Sequence, residues 1–474
     1  MRTGFAPESV PKAMWTPASW RAFTFRIPFA SAARMRGRFG SAFTFSRYSA
    51  VRNRWITSGA SATTSIGLMG SSPGPRRMAP RDGRIEGAGQ TGVGSGNFPG
   101  HRAERWYVGG VPAPGRIRAI DWLRGLAVVF MIQTHALGLL RPDLREGTAF
   151  AALQWVDGLV APAFIFAAGF SMALTQVRAA GGPAAPEARR RRMRRTLRRL
   201  LEVLLVGILV NWMWFPIFRE PRWIVRMDIL PCIAFSLLIA LPILFALAPR
   251  PAALRWCALL LAAFAFGVAP LAESLGPPWD RFLNQRADAV FPLLPWSGYV
   301  YLGAAVGSAA AEKGARGAAL WLSGICAAGL AVWIATPWFA AAYPPHQFWV
   351  TNPANAARRW TQVCLLALFL LALEQRAFGA WRESLPVRFV EVFGTSSLAG
   401  YFFHQALLFY RVFGFSFESR WGKSCGWAQY AALVALLIGC TFVLTWLTDR
   451  IYQRADRRLS HAGPAGLAAA GGRG

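Results

Sequence analysis

Three histidines and one aspartate interrupt or flank the long apolar runs of this 474-residue chain. His135 and His404 each lie inside an apolar run, Asp157 lies near the start of another, and His346 follows a third. An ionisable group inside a bilayer is costly, so each of them is a candidate for function. An imidazole exchanges protons near neutral pH, which suits a general base that activates a hydroxyl or an amine.

Each of these residues also has a structural interpretation. A histidine on a membrane helix often only hydrogen-bonds a neighbour, which we weigh most heavily for His404. His346 follows an apolar run in a loop, where solvation alone would explain it. Asp157 at the edge of a run would serve as a helix N-cap or as an acid in the first turn. Several titratable groups at one depth favour acid–base chemistry over scattered solvation.

The elements that must hold these residues are transmembrane helices. Hydrophobic residues make up 54% of the chain and charged residues 16%. Apolar runs of about 20 residues, the length that crosses a bilayer, recur from residue 119 onward. The pattern predicts an all-α, polytopic membrane bundle of about ten helices, at 119–140, 153–175, 199–218, 229–248, 253–272, 290–310, 318–338, 361–380, 392–412 and 427–448.

The charges of the connecting loops predict the orientation of this bundle. The formal net charge is +30, and arginines cluster in alternate loops, most densely in residues 189–199. Cytoplasmic loops carry such an excess of Lys and Arg, so both termini are expected in the cytoplasm. The catalytic candidates then lie toward the outer face. Nucleic acid is not an expected partner, because the arginines lie between apolar runs; anionic lipid or a phosphorylated donor is the lesser alternative.

The two ends of the chain are expected to lie outside the bundle. Residues 1–115 are rich in Arg and Ser and poor in acids. This composition predicts a disordered extension or a start codon placed too far upstream, in preference to an organellar transit peptide. Residues 453–474 are expected to form a flexible cytoplasmic tail. The six cysteines form no CxxC pair, so neither a metal site nor a disulfide framework is expected.

Five ordered blocks of the sequence resemble one family over residues 116–452. The first block contains D-x-L-R-G followed by an apolar run that ends in a histidine. The blocks are similar to those of the domain-of-unknown-function 1624 family, which groups with the catalytic domain of heparan-alpha-glucosaminide N-acetyltransferase. They are RIRAIDWLRGLAVVFMIQTHALGLL (116–140), VDGLVAPAFIFAAGFSMAL (156–174), RMDILPCIAFSLLIA (226–240), FPLLPWSGYVYLGAAVG (291–307) and FGTSSLAGYFFHQAL (393–407).

The resemblance implies acyl transfer by the domain at 116–452. It implies acetyl-CoA or another acyl-CoA as co-substrate, no permanently bound cofactor, and a glycan or other polar acceptor at the outer face. His135 is then the expected general base, with His404 and Asp157 as catalytic partners. The residues expected to bind substrate are Arg124, Asp121, His346, Ser397, Tyr401 and Trp296.

Two other functions stay open at this point. A transporter or flippase would use the same polar cavity without chemistry, although the two halves show no visible repeat. A membrane scaffold without catalytic activity is the other. The expected location is the bacterial inner membrane, with lipids around the bundle. A homodimer, the acceptor and the acyl chain are left open.

Overall fold

The computed structural model describes five segments of the chain, and every regular element in them is helical. The predicted extension at 1–115 lies outside the described residues, as do tail residues 462–474. The predicted all-α class is therefore confirmed for the described part. The five segments are 116–181, 186–214, 226–376, 384–411 and 414–461.

Thirteen α-helices make up these segments. They are α1 Arg118–Ala136, α2 Thr148–Ala180, α3 Pro186–Trp214, α4 Ile229–Leu247, α5 Pro251–Ala272, α6 Leu293–Ile334, α7 Thr336–Ala342, α8 Phe348–Thr351, α9 Pro353–Arg376, α10 Leu385–Thr395, α11 Ser397–Phe409, α12 Phe417–Trp421 and α13 Trp427–His461.

Seven of the described helices are long and apolar enough to cross a membrane: α1, α2, α4, α5, α6, α9 and α13. Several of them present large apolar side chains outward, and Leu260, Leu320 and Ile334 are each about 70% exposed. A lipid surround tolerates this exposure, and a helix satisfies its own backbone hydrogen bonds there. The chain is thus a multi-pass membrane protein. Ten spans and cytoplasmic termini remain predictions.

The long helix α6 accounts for two of the predicted spans, 290–310 and 318–338. Its 42 residues are interrupted at Gly314, where φ is +60° and ψ is −145°. This backbone region is open to glycine and strained for other residues. The carbonyl of Ala309 closely approaches the Cα of Gly317, eight residues later, which a straight helix would hold far away. The chain therefore reverses at Gly314 and forms two packed helical halves.

The predicted span at 392–412 is divided in the structure. α10 ends at Thr395, and Ser396, with φ −111° and ψ 36°, separates it from α11. The 13 residues of α11 cover about 20 Å at 1.5 Å per residue, less than a hydrocarbon core of about 30 Å. α11 alone is therefore too short to cross a membrane, and the His404 side chain that it carries is fully buried.

Helices α2 and the first half of α6 pack closely through glycines. Gly303 lies against the backbone of Phe166, and Gly307 lies against the backbone of Phe170. Both numbers rise together, so the two helices run parallel. A side chain at either position would meet backbone, so the two glycines permit this close approach.

Candidate active site

Backbone hydrogen bonds fix the end of α1, and with it the position of His135. The helix continues into a 3-10 turn, Leu137–Leu139. The N–H groups of Lys423 and Cys425 each donate, at 3.0 Å, to a carbonyl of this turn. The Arg145 guanidinium donates at 2.8 Å to the carbonyl that follows the turn. The C-terminal carbonyls of α1 are thereby satisfied by a distant loop and by a cation.

His135 and His404 are in direct contact, although they are 269 positions apart in the sequence. Nδ1 of His135 lies 2.8 Å from Nε2 of His404, and the two rings are nearly parallel, at 8°. Nδ1 of His404 lies 2.9 Å from the carbonyl oxygen of Gly400 on the same helix. His404 is fully buried. Two of the three predicted catalytic residues therefore form one unit.

The Gly400 carbonyl determines how protons are distributed in this pair. A carbonyl only accepts, so Nδ1 of His404 carries the proton of that hydrogen bond. In neutral His404 the other nitrogen is then an acceptor, and Nδ1 of His135 donates to it. This leaves Nε2 of His135 with a lone pair. Nε2 of the Gln405 amide lies 3.1 Å from Nδ1 of His135. If the amide is flipped by about 180°, its oxygen takes this position and becomes a second acceptor for the Nδ1–H of His135.

Asp157 approaches the same end of α1 from α2. Its Oδ1 lies 2.8 Å from the hydroxyl of Thr134, the residue before His135. Its Oδ2 is buried and has no hydrogen-bond partner among the described residues. The helix begins at Thr148 without an acid in its first turn, so the interpretation of Asp157 as an N-cap or first-turn acid is wrong. Asp157 lies inside the helix, and its Oδ2 can accept a hydrogen bond that no described residue donates.

A second polar pair lies beside Asp157. Nε2 of Gln133 donates to the Tyr430 hydroxyl at 3.0 Å, and that hydroxyl donates to the Gln133 carbonyl at 3.1 Å. The side-chain oxygen Oε1 of Gln133 is buried without a partner among the described residues. The two unpartnered oxygens, one on Asp157 and one on Gln133, could accept hydrogen bonds from a ligand that carries hydroxyl or amino groups.

A small cavity of about 10 Å³, room for about one water molecule, lies in this region and is lined by Val210, Met213, Gln405, Phe409 and Tyr410. Two of these residues contact His135 directly. Gln405 approaches the His135 ring nitrogen, and the Phe409 ring meets the His135 ring edge-on, with centroids 6.2 Å apart. The cavity therefore adjoins the His135 side of the histidine pair.

Asp121 and Arg124, predicted to bind substrate, lie at the opposite end of α1 and are bonded to protein. Nη1 of Arg124 donates to the Gly394 carbonyl at 2.9 Å, and Nη2 donates to the Ser171 hydroxyl. Asp121 accepts from Nε of Arg116 at 2.8 Å. Arg124 and Asp121 are both buried. Their contacts join α1 to α2 and α10, and a substrate role for them remains a prediction.

The charges around this end of α1 continue into a wider network. Arg118 pairs with Glu391 at 2.5 Å, and the Trp122 indole N–H donates to the same carboxylate at 2.9 Å. Glu374 accepts from the backbone N–H groups of Arg118 and Ala119 at 2.8 and 2.9 Å. A carboxylate that accepts the first N–H groups of a helix stabilises its N-terminus.

The other predicted substrate residues lie in three places. Tyr401 is buried and its ring packs edge-on against His404, with centroids 5.4 Å apart, while Ser397 begins the same helix. Nε2 of His346 lies 2.8 Å from the Asn352 side-chain amide in the loop before α9. Trp296 is buried near the start of α6. The structure thus groups Tyr401 with the histidine pair.

Arg226 and Asp228 lie close to the Tyr401 ring at the start of α4. Asp228 caps α4, since its carboxylate accepts from the Ile229 N–H at 2.7 Å. Nε of Arg226 donates to the Asp288 carbonyl at 2.7 Å. Burial lowers the pKa of Arg226 and raises the pKa of Asp228. Each shift is opposed by the charge of the other residue, so the pair contributes a polar wall beside Tyr401.

Gln133, Thr134, Gln405 and Tyr430 were not predicted from the sequence. Three of them are sequence neighbours of the two histidines, in the strings QTH and HQ. A polar residue next to a histidine inside an apolar run is a usable signal. Tyr430 carries no such signal, because only the packing of α13 on α1 brings it to Gln133.

Residues 116–347 match the family model described as heparan-alpha-glucosaminide N-acetyltransferase, catalytic. The matched segment includes His135 and Asp157 and ends before His404. No curated protein matches the chain.

Proposed function

Because residues 116–347 belong to the heparan-alpha-glucosaminide N-acetyltransferase catalytic family, we propose that this chain is a membrane acyltransferase. It transfers an acyl group, acetyl in the simplest case, from a cytoplasmic acyl-CoA to a hydroxyl or amine of a glycan or other polar acceptor. The observation that carries the proposal is the histidine pair with the Asp157 carboxyl beside it. The expected location is a bacterial inner membrane.

His135 is the general base of the proposed reaction. Its Nε2 lone pair takes the proton of the acceptor O–H or N–H while the acceptor atom attacks the thioester carbonyl. A bond forms between the acceptor atom and the acyl carbon, the carbon–sulfur bond breaks, and the CoA thiolate leaves. The proton held by His135 then passes to that thiolate. Atoms and charge balance without an acyl-enzyme or a further cofactor.

His404 acts through His135. When His135 is protonated, its Nδ1–H continues to donate to Nε2 of His404, 2.8 Å away, which stabilises the imidazolium and holds its ring. The Gly400 carbonyl holds the His404 proton on the far side. This chain of hydrogen bonds fixes the tautomer of the base, as a carboxylate does in a catalytic triad.

In the proposed reaction Asp157 binds the acceptor substrate. Its unpartnered Oδ2 and the unpartnered Oε1 of Gln133 supply hydrogen-bond acceptors to a group that is itself a donor. A sugar hydroxyl or amine has this character, whereas the thioester does not. The donor's phosphates suit the exposed arginines of α3 better than Arg124, since every bond of Arg124 described above is to protein.

The proposal is tested by acyl transfer from radiolabelled acetyl-CoA with the purified protein in lipid nanodiscs, with the released thiol measured in parallel. His135→Ala should lower the rate by about 10²–10⁴-fold, the usual contribution of a general base. His461→Asn, a histidine change at the end of α13, is the matched control and should leave the rate unchanged. Normal transfer by His135→Ala would contradict the mechanism.

The same preparation distinguishes transport from catalysis. A transporter or flippase would move a polar solute into proteoliposomes without releasing CoA thiol. An acyltransferase releases one thiol for each acyl group that appears on the acceptor. Solute uptake without thiol release in the unmodified protein would replace the proposed function by transport.

A further inference from the structure

A stack of one guanidinium and one indole, Arg359 on α9 over Trp296 on α6, lies outside the histidine site. The guanidinium carbon of Arg359 is 5.7 Å from the centroid of the Trp296 ring. Trp296 is 95% buried, and its ring lies 5.8 Å from that of Tyr299, centroid to centroid. Arg359 also lies close to the Tyr299 hydroxyl. Three side chains that can donate hydrogen bonds therefore meet in one place.

Two N–H donors of this stack have no hydrogen-bond acceptor among the described residues. The indole Nε1 of Trp296 and Nε of Arg359 are both buried without a hydrogen-bond partner among the described residues. No carboxylate of the described residues forms an ion pair with Arg359. A guanidinium Nε that is buried without an acceptor, next to a buried indole N–H in the same condition, costs free energy unless a ligand supplies the missing oxygens.

The neighbouring Arg358, in contrast, has a hydrogen-bond acceptor on the protein. Its Nη2 and Nε donate to Oδ1 of Asn355 at 3.1 and 3.3 Å, and its guanidinium lies 5.7 Å from the rings of both Trp333 and Trp349. The two adjacent arginines carry the same charge on the same turn of α9. Nε of Arg358 has a described acceptor and Nε of Arg359 has none, so the two form a matched pair for an experiment.

The packing of α2 on α6 places this stack near the depth of the histidine site. The helices run parallel, with Gly303 against Phe166 and Gly307 against Phe170. With the contact of Gly169 with Val300 included, extending this register by about two turns brings Trp296 level with α2 residues 159–165, within about two turns of Asp157.

We propose that Arg359 and the Trp296 indole N–H bind an oxyanion, a phosphate or a carboxylate, that the acceptor carries. A guanidinium and an N–H donor together recognise such a group through charge-assisted hydrogen bonds. The assignment of the oxyanion to the acceptor rests on the proposed function. The binding itself does not, because it requires neither acyl-CoA nor His135.

The experiment measures binding to the full-length protein in phosphatidylcholine nanodiscs by calorimetry. The probes are glucose 1-phosphate, glucuronate and, as a neutral control, glucose. At least one of the two anions should bind and glucose should not. Arg359→Gln should weaken binding at least about tenfold, a factor equivalent to about 1.4 kcal/mol. Trp296→Phe, which keeps the ring and removes only the N–H, should weaken it by a smaller factor.

Arg358→Gln is the control, since it removes the same charge one residue away; we expect its affinity for the anions to stay within about twofold of the unmodified protein. Equal weakening by both arginine variants, or no anion binding at all, would overturn the proposal. A further arm adds phosphatidylglycerol to the nanodiscs. If this lipid raises the unfolding temperature through Arg359 while neither soluble anion binds, the oxyanion belongs to a lipid headgroup and its assignment to the acceptor is wrong.

Discussion

The two ends of α1 use polar residues in opposite ways. Around Asp121 and Arg124, three arginines face three carboxylates, and none of their buried side-chain atoms lacks a described partner. Around His135, about 16 Å along the helix from Arg124 at 1.5 Å per residue, Asp157 has no described ion pair. There one side-chain oxygen of Asp157 and one of Gln133 are buried without a hydrogen-bond partner among the described residues.

This difference separates a structural network from a site for chemistry. Polar groups that only hold helices together are satisfied by each other, because an unsatisfied buried group destabilises the fold. A site that receives a ligand must leave part of its capacity unused until the ligand arrives. By this criterion the D-x-L-R-G motif resembles a structural network, and the other end of the same helix is where we propose the reaction.

The largest effect is expected from a substitution in the network of arginines and carboxylates around Asp121 and Arg124. Arg124→Met leaves the Gly394 carbonyl and the Asp121 carboxylate without one of their buried partners, and loss of a buried pair member costs about 3–5 kcal/mol. We expect a loss of about that size in the free energy of unfolding, measured by denaturant titration in detergent. The acyl-transfer rate per folded molecule should change little.

Arg141→Met is the control for Arg124→Met. Arg141 pairs with Asp143 on the surface, where both side chains are more than half exposed. Loss of such an exposed pair should cost less than about 1 kcal/mol. If Arg124→Met abolishes transfer while its stability stays normal, then Arg124 binds substrate, as the sequence resemblance implied, and the contrast between the two ends of α1 fails.

The second largest effect is expected at the end of α1 that carries His135. Asp157→Asn keeps the shape of the side chain and the contact with Thr134 but removes the charge. We expect the acyl-transfer rate to fall by about 10²-fold, at the lower end of what a positioned acid–base group contributes. The free energy of unfolding should stay within about 1 kcal/mol. A large loss of stability instead would assign Asp157 to the structural framework.

The sequence was sufficient to predict the helical class and the membrane, because both depend on local apolar runs. It also placed His135, His404 and Asp157 among the catalytic candidates, since an ionisable residue is conspicuous inside such a run. It predicted two helices, at 290–310 and 318–338, where α6 reverses, although it did not identify Gly314 as the turning point. Nor did it predict the break at Ser396, although Gly394 lies two residues before it.

The partners of the candidates were beyond a reading of the sequence. The contact of His135 with His404 spans 269 positions, and the pairing of Gln133 with Tyr430 depends on how α13 packs. The unpartnered oxygen of Asp157 is likewise a property of the packed bundle. Charge alternation in loops indicates an orientation for each helix, but it carries no information on which side chains meet.

The smallest effect is expected inside the histidine pair, and it distinguishes a positioning residue from one required for folding. His404→Gln retains an amide oxygen that can accept from Nδ1–H of His135, whereas His404→Leu retains only bulk. We expect kcat to fall about tenfold for the glutamine variant and further for leucine, with KM unchanged in both. Because His404 is fully buried, each variant is first compared by its unfolding temperature. Equal kcat values for the two variants at equal stability would mean that His404 packs against the base without orienting it.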